Sequence, residues 1–455
     1  MPDLQPFRAL RYDPGAGQPR DLVSPPYDVI SPAQQRALVR RHPRNVVRLD
    51  LPPDEPGDPP DERYRRAARD LAAWRSEGTL RTDRQSSVYP YEEGYVVPGT
   101  AEQRVQRGFF ARLRVDQPGL ASGILPHERT LSAPKEDRYR LLRATGINAS
   151  PVVLLFADGD GAAMRALELA ARGDALTDLT DDDGVRHRLW QLPVDDADRG
   201  QLASELLRAA APGPLTIADG HHRYETALRY RDERRRDRSP GDPEPFDYLL
   251  ALLVPIDQPL TVLATHRVVR DGPAGEALLS AAASLFDVER LPSREALLAA
   301  FAPGDAIAAG SQPELSGSPP DDRASAGRLH RIGLWTGGTA ALLWARLTAF
   351  EPLLDPSASP ALRWLDVNLL SVALEQMAGI DRAAGSGGGR IAYTKDPAEA
   401  LTMVDRGEGA AAFLLAPTSV AEVLRVAAAG ETMPQKSTYF YPKQVTGLVL
   451  NPHEW

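Results

Sequence analysis

Leu215-Thr216-Ile217-Ala218-Asp219-Gly220-His221-His222-Arg223-Tyr224-Glu225-Thr226-Ala227-Leu228-Arg229 decides how this chain is read. Its first four residues are apolar or β-branched, which predicts a short buried strand. Asp219-Gly220 breaks that strand, and Tyr224 onward has helical character. His221, His222 and Arg223 therefore fall at a helix N-terminus. Free backbone N–H groups and the positive end of the helix dipole favour an anion there, and two histidines and an arginine add donors and charge. Gly220 permits close backbone approach, and Asp219 is of a type that orients a histidine or holds a metal. The segment is thus a candidate phosphate-handling turn.

The rest of the sequence bounds what such a turn belongs to. At 455 residues the chain has room for two or three domains. Its 42% hydrophobic and 25% charged residues are an ordinary globular mixture. It contains no cysteine, which excludes disulfides, thiolate nucleophiles and thiolate metal sites. The opening Met1-Pro2-Asp3-Leu4-Gln5-Pro6 lacks a signal-peptide pattern, and no run of 18 apolar residues occurs, so a cytoplasmic location and no membrane partner are expected. A net charge of -9 with no basic stripe argues against nucleic acid as a partner. Only four of the 53 basic residues are lysine, namely Lys135, Lys395, Lys436 and Lys443. Lysine is a compact, flexible charge and arginine a rigid fork, so the surviving lysines are candidates for positions where arginine fails.

Pro-, Gly- and Asp-rich stretches at Pro52–Pro60, Arg238–Pro245, Ser311–Gly327 and Ala384–Gly389 read as loops or linkers. Tyr64, Ala67, Ala68, Leu71 and Trp74 recur at helical spacing, as do Leu202, Leu206 and Ala210, and Leu362, Leu365, Leu369 and Val372. Val152–Phe156, Tyr248–Pro255, Arg331–Trp335, Ala340–Trp344 and Ala411–Leu415 read as buried strands. Helices and strands alternate, which gives an α/β or mixed α+β class built on a mixed sheet.

Two further clusters carry candidate chemistry. In Leu125-Pro126-His127-Glu128-Arg129-Thr130, followed by Lys135, Glu128 is a candidate general base flanked by cations. In Met433-Pro434-Gln435-Lys436-Ser437-Thr438-Tyr439-Phe440-Tyr441-Pro442-Lys443, lysines, hydroxyls and tyrosines could grip phosphate, while a closing edge strand reads equally well. Asp28 in Ser24-Pro25-Pro26-Tyr27-Asp28 and Arg267 in Thr265-His266-Arg267 stand out among weaker signals. A Walker loop, a Gly-x-Ser-x-Gly elbow, a dinucleotide fingerprint and zinc-ligand spacing are all missing.

The Asp219–Arg223 turn resembles the phosphate-binding element of the ParB/sulfiredoxin-like fold, in particular that of the free serine kinases. Pro126-His127-Glu128 matches the motif that carries those kinases' catalytic glutamate, and Phe413–Thr438 is similar in order to their C-terminal lobe. Over its whole length the chain resembles more closely a bacterial family described only as a domain of unknown function. There Ser-Pro-Pro-Tyr-Asp, His-Glu-Arg-Thr, Asp-Gly-His-His-Arg and Lys-Ser-Thr-Tyr-Phe-Tyr-Pro-Lys recur. About 90 residues separate Glu128 from Asp219, more than in the compact kinases, and roughly the first hundred residues have no counterpart there.

The resemblance implies an N-terminal α/β region at 1–115, a ParB/sulfiredoxin-like catalytic core at 116–270 and a C-terminal α/β lobe at 271–455. It implies Glu128 as the base, with Asp219 and His221 beside it in catalysis. His127, Gly220, His222, Arg223, Lys135, Lys436, Ser437, Thr438 and Lys443 would bind the phosphoryl donor. Asp28, Arg129, Arg267 and Tyr439 would face the acceptor. Magnesium, with Asp219 as its ligand, and a donor of ADP, ATP or pyrophosphate complete the expectation, with free L-serine the simplest acceptor. Two other readings stay open at this stage: a non-enzymatic nucleotide-binding or regulatory module of ParB-like type, and a phosphate-ester hydrolase.

Overall fold

The computed structural model describes residues 1–129, 132–236, 238, 241–302, 330–381 and 389–454. The loop expected at Ser311–Gly327, most of that at Ala384–Gly389, and Thr130 lie outside the described residues. The class is mixed α/β, as read from the sequence.

The larger sheet runs in the order Ile124–Leu125, Leu215–Asp219, Val152–Phe156, Tyr248–Pro255, Gln103–Arg114, Ser87–Val96, Arg186–Leu189, Thr177–Thr180. Leu4–Gln5 adds to Gln103–Arg114, and Leu192–Pro193 to Ser87–Val96. Most pairings are antiparallel. The exceptions are Leu215–Asp219 with Ile124–Leu125 and Tyr248–Pro255 with Val152–Phe156. The smaller sheet, Phe286–Leu291, Ala340–Ala345, Arg331–Trp335, Ala411–Leu414, His266–Val269 and Ile391–Thr394, is antiparallel at each described pairing. The strands of the first sheet come from residues 4 to 255 and those of the second from 266 to 414.

Burial explains why these runs are strands. Val152–Phe156 and Tyr248–Pro255 are buried at every position, so both faces are covered and no apolar/polar alternation remains. Helices Ala162–Ala170, Arg199–Ala210 and His221–Arg235 contribute to the core on one face, with Leu154, Leu215, Ile217 and Leu253 opposite them. On the other face Tyr91, Phe110, Leu155, Ala218 and Leu252 join Phe286, Leu334, Phe413 and helix Asp366–Ala378 of the second sheet in one continuous core. Each fully buried Leu, Ile or Phe there contributes about 1.5–3 kcal/mol of transfer free energy, so the shared core holds the sheets together.

The helices at Glu62–Ser76 and Arg199–Ala210 follow the predicted periodicity. The third run does not form one helix. It splits into Pro360–Arg363 and Asp366–Ala378, because Leu365 is extended (φ -69°, ψ 137°) and serves as the N-cap of the second. Apolar spacing alone cannot see such a cap. The C-terminal segment then returns to earlier parts of the chain through small pairings outside the two large sheets. Tyr439–Tyr441 pairs with Thr261–Leu263, Thr446 bridges Ser24, Leu450 bridges Leu10, and Asn451–Pro452 pairs with Ile147–Asn148.

Candidate functional site

Strand Leu215–Asp219 ends at a register shift after Ile217, and Gly220 follows with φ +91° as the N-cap of helix His221–Arg235. A side chain at Gly220 would be strained by that φ and would meet Arg223 Nε at 3.0 Å. The neighbouring strand Ile124–Leu125 runs parallel, with Leu125 opposite Thr216, so Pro126-His127-Glu128 leaves the sheet at the same end as Asp219. Two motifs 90 residues apart become neighbours through one parallel pairing. The third joins them through the backbone, since Met433 N–H donates to His127 O at 2.8 Å and Arg129 N–H to Met433 O at 3.4 Å.

Asp219 sits at the centre of a charge cluster. Lys443 Nζ bonds its Oδ1, and Arg223 Nη2 bonds its Oδ2. Burial alone would raise the Asp219 pKa, but Lys443 and Arg223 hold it well below the ordinary carboxylate range. Burial opposes the Lys443 charge, yet Asp219 and Asp28 raise its pKa above the usual lysine value. Arg223 Nη1 is taken by Pro151 O, so this guanidinium braces Asp219 against the strand behind it. A cavity of about 50 Å³ behind it is lined by Asp50, Arg138 and Ser150.

Burial disfavours the charged form of the three histidines of the site. His127 is fully buried; its Nδ1 donates to Ile217 O, and its Nε2 accepts from Thr438 Oγ1 at 2.9 Å. Burial lowers its pKa to about 4. His221 Nε2 accepts the His127 backbone N–H at 3.3 Å, the two rings meet edge to face at 4.7 Å, and burial with the neighbouring His127 pushes its pKa well below the usual value. A neutral His221 bonded in this way carries its proton on Nδ1. His222 is also lowered, first by burial and then by Lys436.

Glu128 differs from Asp219. Its carboxylate accepts the Lys436 backbone N–H, and burial raises its pKa against the opposing pull of Lys436 and Lys443. Lys436 is held in the left-handed region at φ +56°, with its side chain exposed. Its carbonyl accepts from Arg267 Nη2 at 3.4 Å. Strained non-glycine backbone of this kind persists only where its surroundings fix it, here Glu128 on one side and Arg267 on the other. Arg267 is buried, lies over the Tyr393 ring at 5.7 Å, and is close enough for its charge to act on Glu128.

The remaining expected residues divide into two groups. Ser437 is buried with its hydroxyl on Pro434 O, and Thr438 serves His127, so both hydroxyls turn inward. Tyr439 lies under Lys443 at 4.7 Å and Lys395 at 5.0 Å, and burial moves its pKa up to about 12. Lys135 pairs with Glu225 on the signature helix and acts on His222. Asp28 is exposed, and its charge reaches Arg223, Lys443 and His222. Arg129 is exposed and is tied to the site through its backbone. All four lysines of the chain thus border one region.

Tyr393 and Asp50 also belong to the surroundings, although no motif marked them, as do Tyr27 beside Asp28 and Arg138 in the stretch after Glu128, which lay in motifs without being singled out. Arg138 lies over the Tyr27 ring at 4.1 Å and pairs with buried Asp50 at 3.7 Å, and Asp50 acts on Arg223. Lys395 also had a signal, the rarity of lysine.

The donor set does not fit a resident magnesium ion. Both Asp219 oxygens hold cations, and no group of three or more His, Asp or Glu side chains able to hold a metal occurs among the described residues. Nor is any described helix long and apolar enough to cross a membrane.

Residues 4–368 match the family model described as protein of unknown function, DUF1015. The chain belongs to this family. The Lys436–Lys443 segment falls beyond the matched DUF1015 range. No curated protein matches the chain. Solved structures similar to it include a conserved hypothetical protein from Pyrococcus furiosus, at 12% identity and TM-score 0.34, covering 73% of this chain and 90% of that one. A free serine kinase in complex with AMP aligns at 12% identity and TM-score 0.35, covering 75% and 91%. SbnI from Staphylococcus aureus, with a C-terminal truncation, aligns at 11% and 0.33, covering 72% and 82%.

Proposed function

We propose that this DUF1015 protein is a phosphotransferase that moves a phosphoryl group from ADP, ATP or pyrophosphate to the hydroxyl of a small amino acid, most simply free L-serine, giving O-phosphoserine. The observation that carries the reading is Glu128, a half-buried carboxylate of raised proton affinity beside two lysines and a helix N-terminus. A base is most effective when its pKa lies near the working pH, and burial moves Glu128 in that direction. Lys443, Lys436, His222 and the first N–H groups of helix His221–Arg235 surround the place where donor phosphates would lie.

In this reading Glu128 takes the proton of the acceptor hydroxyl. The acceptor oxygen forms its bond to the transferred phosphorus as the bond to the donor's bridging oxygen breaks, and that electron pair stays on the donor. Catalysis rests on positioning and charge neutralisation. Asp219 acts by fixing Lys443. Arg223, His127 and Thr438 act as positioning residues, because their polar atoms are committed to the protein. Asp28, Arg129, Arg267 and Tyr439 lie on the acceptor side, where an exposed carboxylate such as Asp28 suits an ammonium group.

Product analysis tests the proposal. The purified chain, with magnesium in the buffer, is incubated with L-serine and each donor in turn, and O-phosphoserine is sought by mass spectrometry. A phosphorylated amino acid is expected with at least one donor. Free phosphate released at the same rate without any acceptor would instead make the protein a hydrolase.

A further inference from the structure

A second cleft, of about 410 Å³, opens between the hairpin Leu10–Tyr12/Leu80–Thr82, the turn at Pro14 and the residues around Leu176. Ligand pockets of proteins span roughly 300–1,000 Å³, so the cleft can enclose a small molecule. One wall carries Arg11, Arg81 and Arg84. The carboxylates beside them are committed. Asp83 holds Arg11 Nη2 at 2.6 Å on Oδ1, and on Oδ2 both Arg11 Nε at 2.9 Å and Tyr89 Oη at 2.7 Å. Asp13 holds the Gly15 N–H at 2.9 Å and Arg81 Nε at 3.0 Å. Arg84 is exposed and has no polar partner among the described residues. What the wall still offers is donors and positive charge, in a chain whose net charge is -9. The lining also includes Leu22, Val23 and Leu448.

We propose that this cleft binds a small organic anion, a phosphate or carboxylate head on an apolar body, with the head on the Arg84 fork and on the guanidinium nitrogens that Asp83 and Asp13 leave free on Arg11 and Arg81. Planar guanidinium forks match such heads, and the leucine and valine surface matches the body. The cleft is wired to the first site through the chain. Val23 precedes Asp28 by five residues, and Gly447 follows Lys443 by four. The two segments are bonded to each other where Ser24 and Thr446 exchange N–H···O bonds of 3.2 and 2.8 Å. An occupant therefore orders both strands of chain that carry Asp28 and Lys443.

The test is calorimetric titration of the full chain with phenyl phosphate, in wild type and in Lys436→Glu, which removes a cation of the first site and leaves the cleft intact. Binding is expected, weaker by about tenfold or more in Arg84→Glu and in Thr177→Trp, which fills the cleft. Absence of binding at millimolar concentration, loss of binding in Lys436→Glu, or affinity in Arg84→Glu and Thr177→Trp equal to that of wild type overturns the site. Amide exchange reads the coupling: phenyl phosphate should slow exchange at residues 22–28 and 443–448, and unchanged exchange there overturns it. Both readouts are independent of whether the chain transfers phosphate.

Discussion

The turn Asp219–Arg223 and the loop Pro126–Arg129 leave the same sheet edge side by side, yet they treat a carboxylate in opposite ways. Asp219 is clamped by Lys443 and Arg223, and its proton affinity falls. Glu128 receives one backbone N–H and feels its lysines at longer range, so burial dominates and its proton affinity rises. Environments that push two neighbouring acids apart assign them different tasks, one a fixed charge and the other a proton acceptor. The difference also shows where each region is stiff. Asp219 is held by side-chain ion pairs, whereas Glu128 is held through a strained backbone turn at Lys436.

Removing the clamp is expected to have the largest effect. Asp219→Asn leaves Lys443 and Arg223 unpaired in the interior and should destabilise the fold by about 3–5 kcal/mol, read from urea unfolding at pH 7. The pH dependence follows from the sign of the shift. The folded pKa of Asp219 lies below the unfolded value, so its contribution is fully present above about pH 4 and is lost as pH falls further toward the folded value. Wild type should lose stability through that window more steeply than Asp219→Asn; parallel curves would mean that the clamp contributes nothing.

Next in size is Gly220→Ala, where a side chain meets a left-handed φ and Arg223. A loss of about 1–3 kcal/mol is expected in thermal unfolding. A neutral result would show that the turn can relax without Arg223.

Glu128→Gln should move stability the other way. A raised folded pKa means that the ionised glutamate costs stability at neutral pH, so the neutral amide is expected to stabilise the protein at pH 7. The gain should fade as pH falls from the folded pKa of Glu128 and vanish below the ordinary glutamate value. If Asp219→Asn and Glu128→Gln shift stability in the same direction at pH 7, the contrast drawn between the two acids is wrong.

The smallest effect concerns the strained turn. Lys436→Gly relieves the positive φ and should gain up to about 1 kcal/mol, while weakening pyrophosphate binding by removing a cation. A variant that loses stability would place the strain elsewhere.

Much of the frame was legible in the chain. Val152–Phe156 and Tyr248–Pro255 are apolar along their whole length because both their faces are buried, Arg331–Trp335 is so after its first residue, and each forms the strand its composition predicts. The turn at Asp219-Gly220 was legible because only glycine sits comfortably at φ +91° before a helix. Charge and shape also marked Glu128 and the lysines. Direction of bonding was not legible: a threonine, two histidines and an arginine in motifs read alike whether they face a ligand or one another. His127, Thr438 and Arg223 spend their polar atoms on the protein, a result of tertiary pairing between segments as far apart as residues 127 and 438. Asp50 was invisible for the same reason, as was the N-cap at Leu365.

The central claim is that Glu128 removes the acceptor's proton while the lysine cluster holds the donor. It is tested most directly by comparing wild type and Glu128→Gln for amino-acid phosphorylation and, in parallel, for pyrophosphate or nucleotide binding by calorimetry. Loss of a general base lowers turnover by about 10²–10⁴-fold, and that loss with donor affinity unchanged is the expected result. Undiminished turnover in Glu128→Gln would contradict the account.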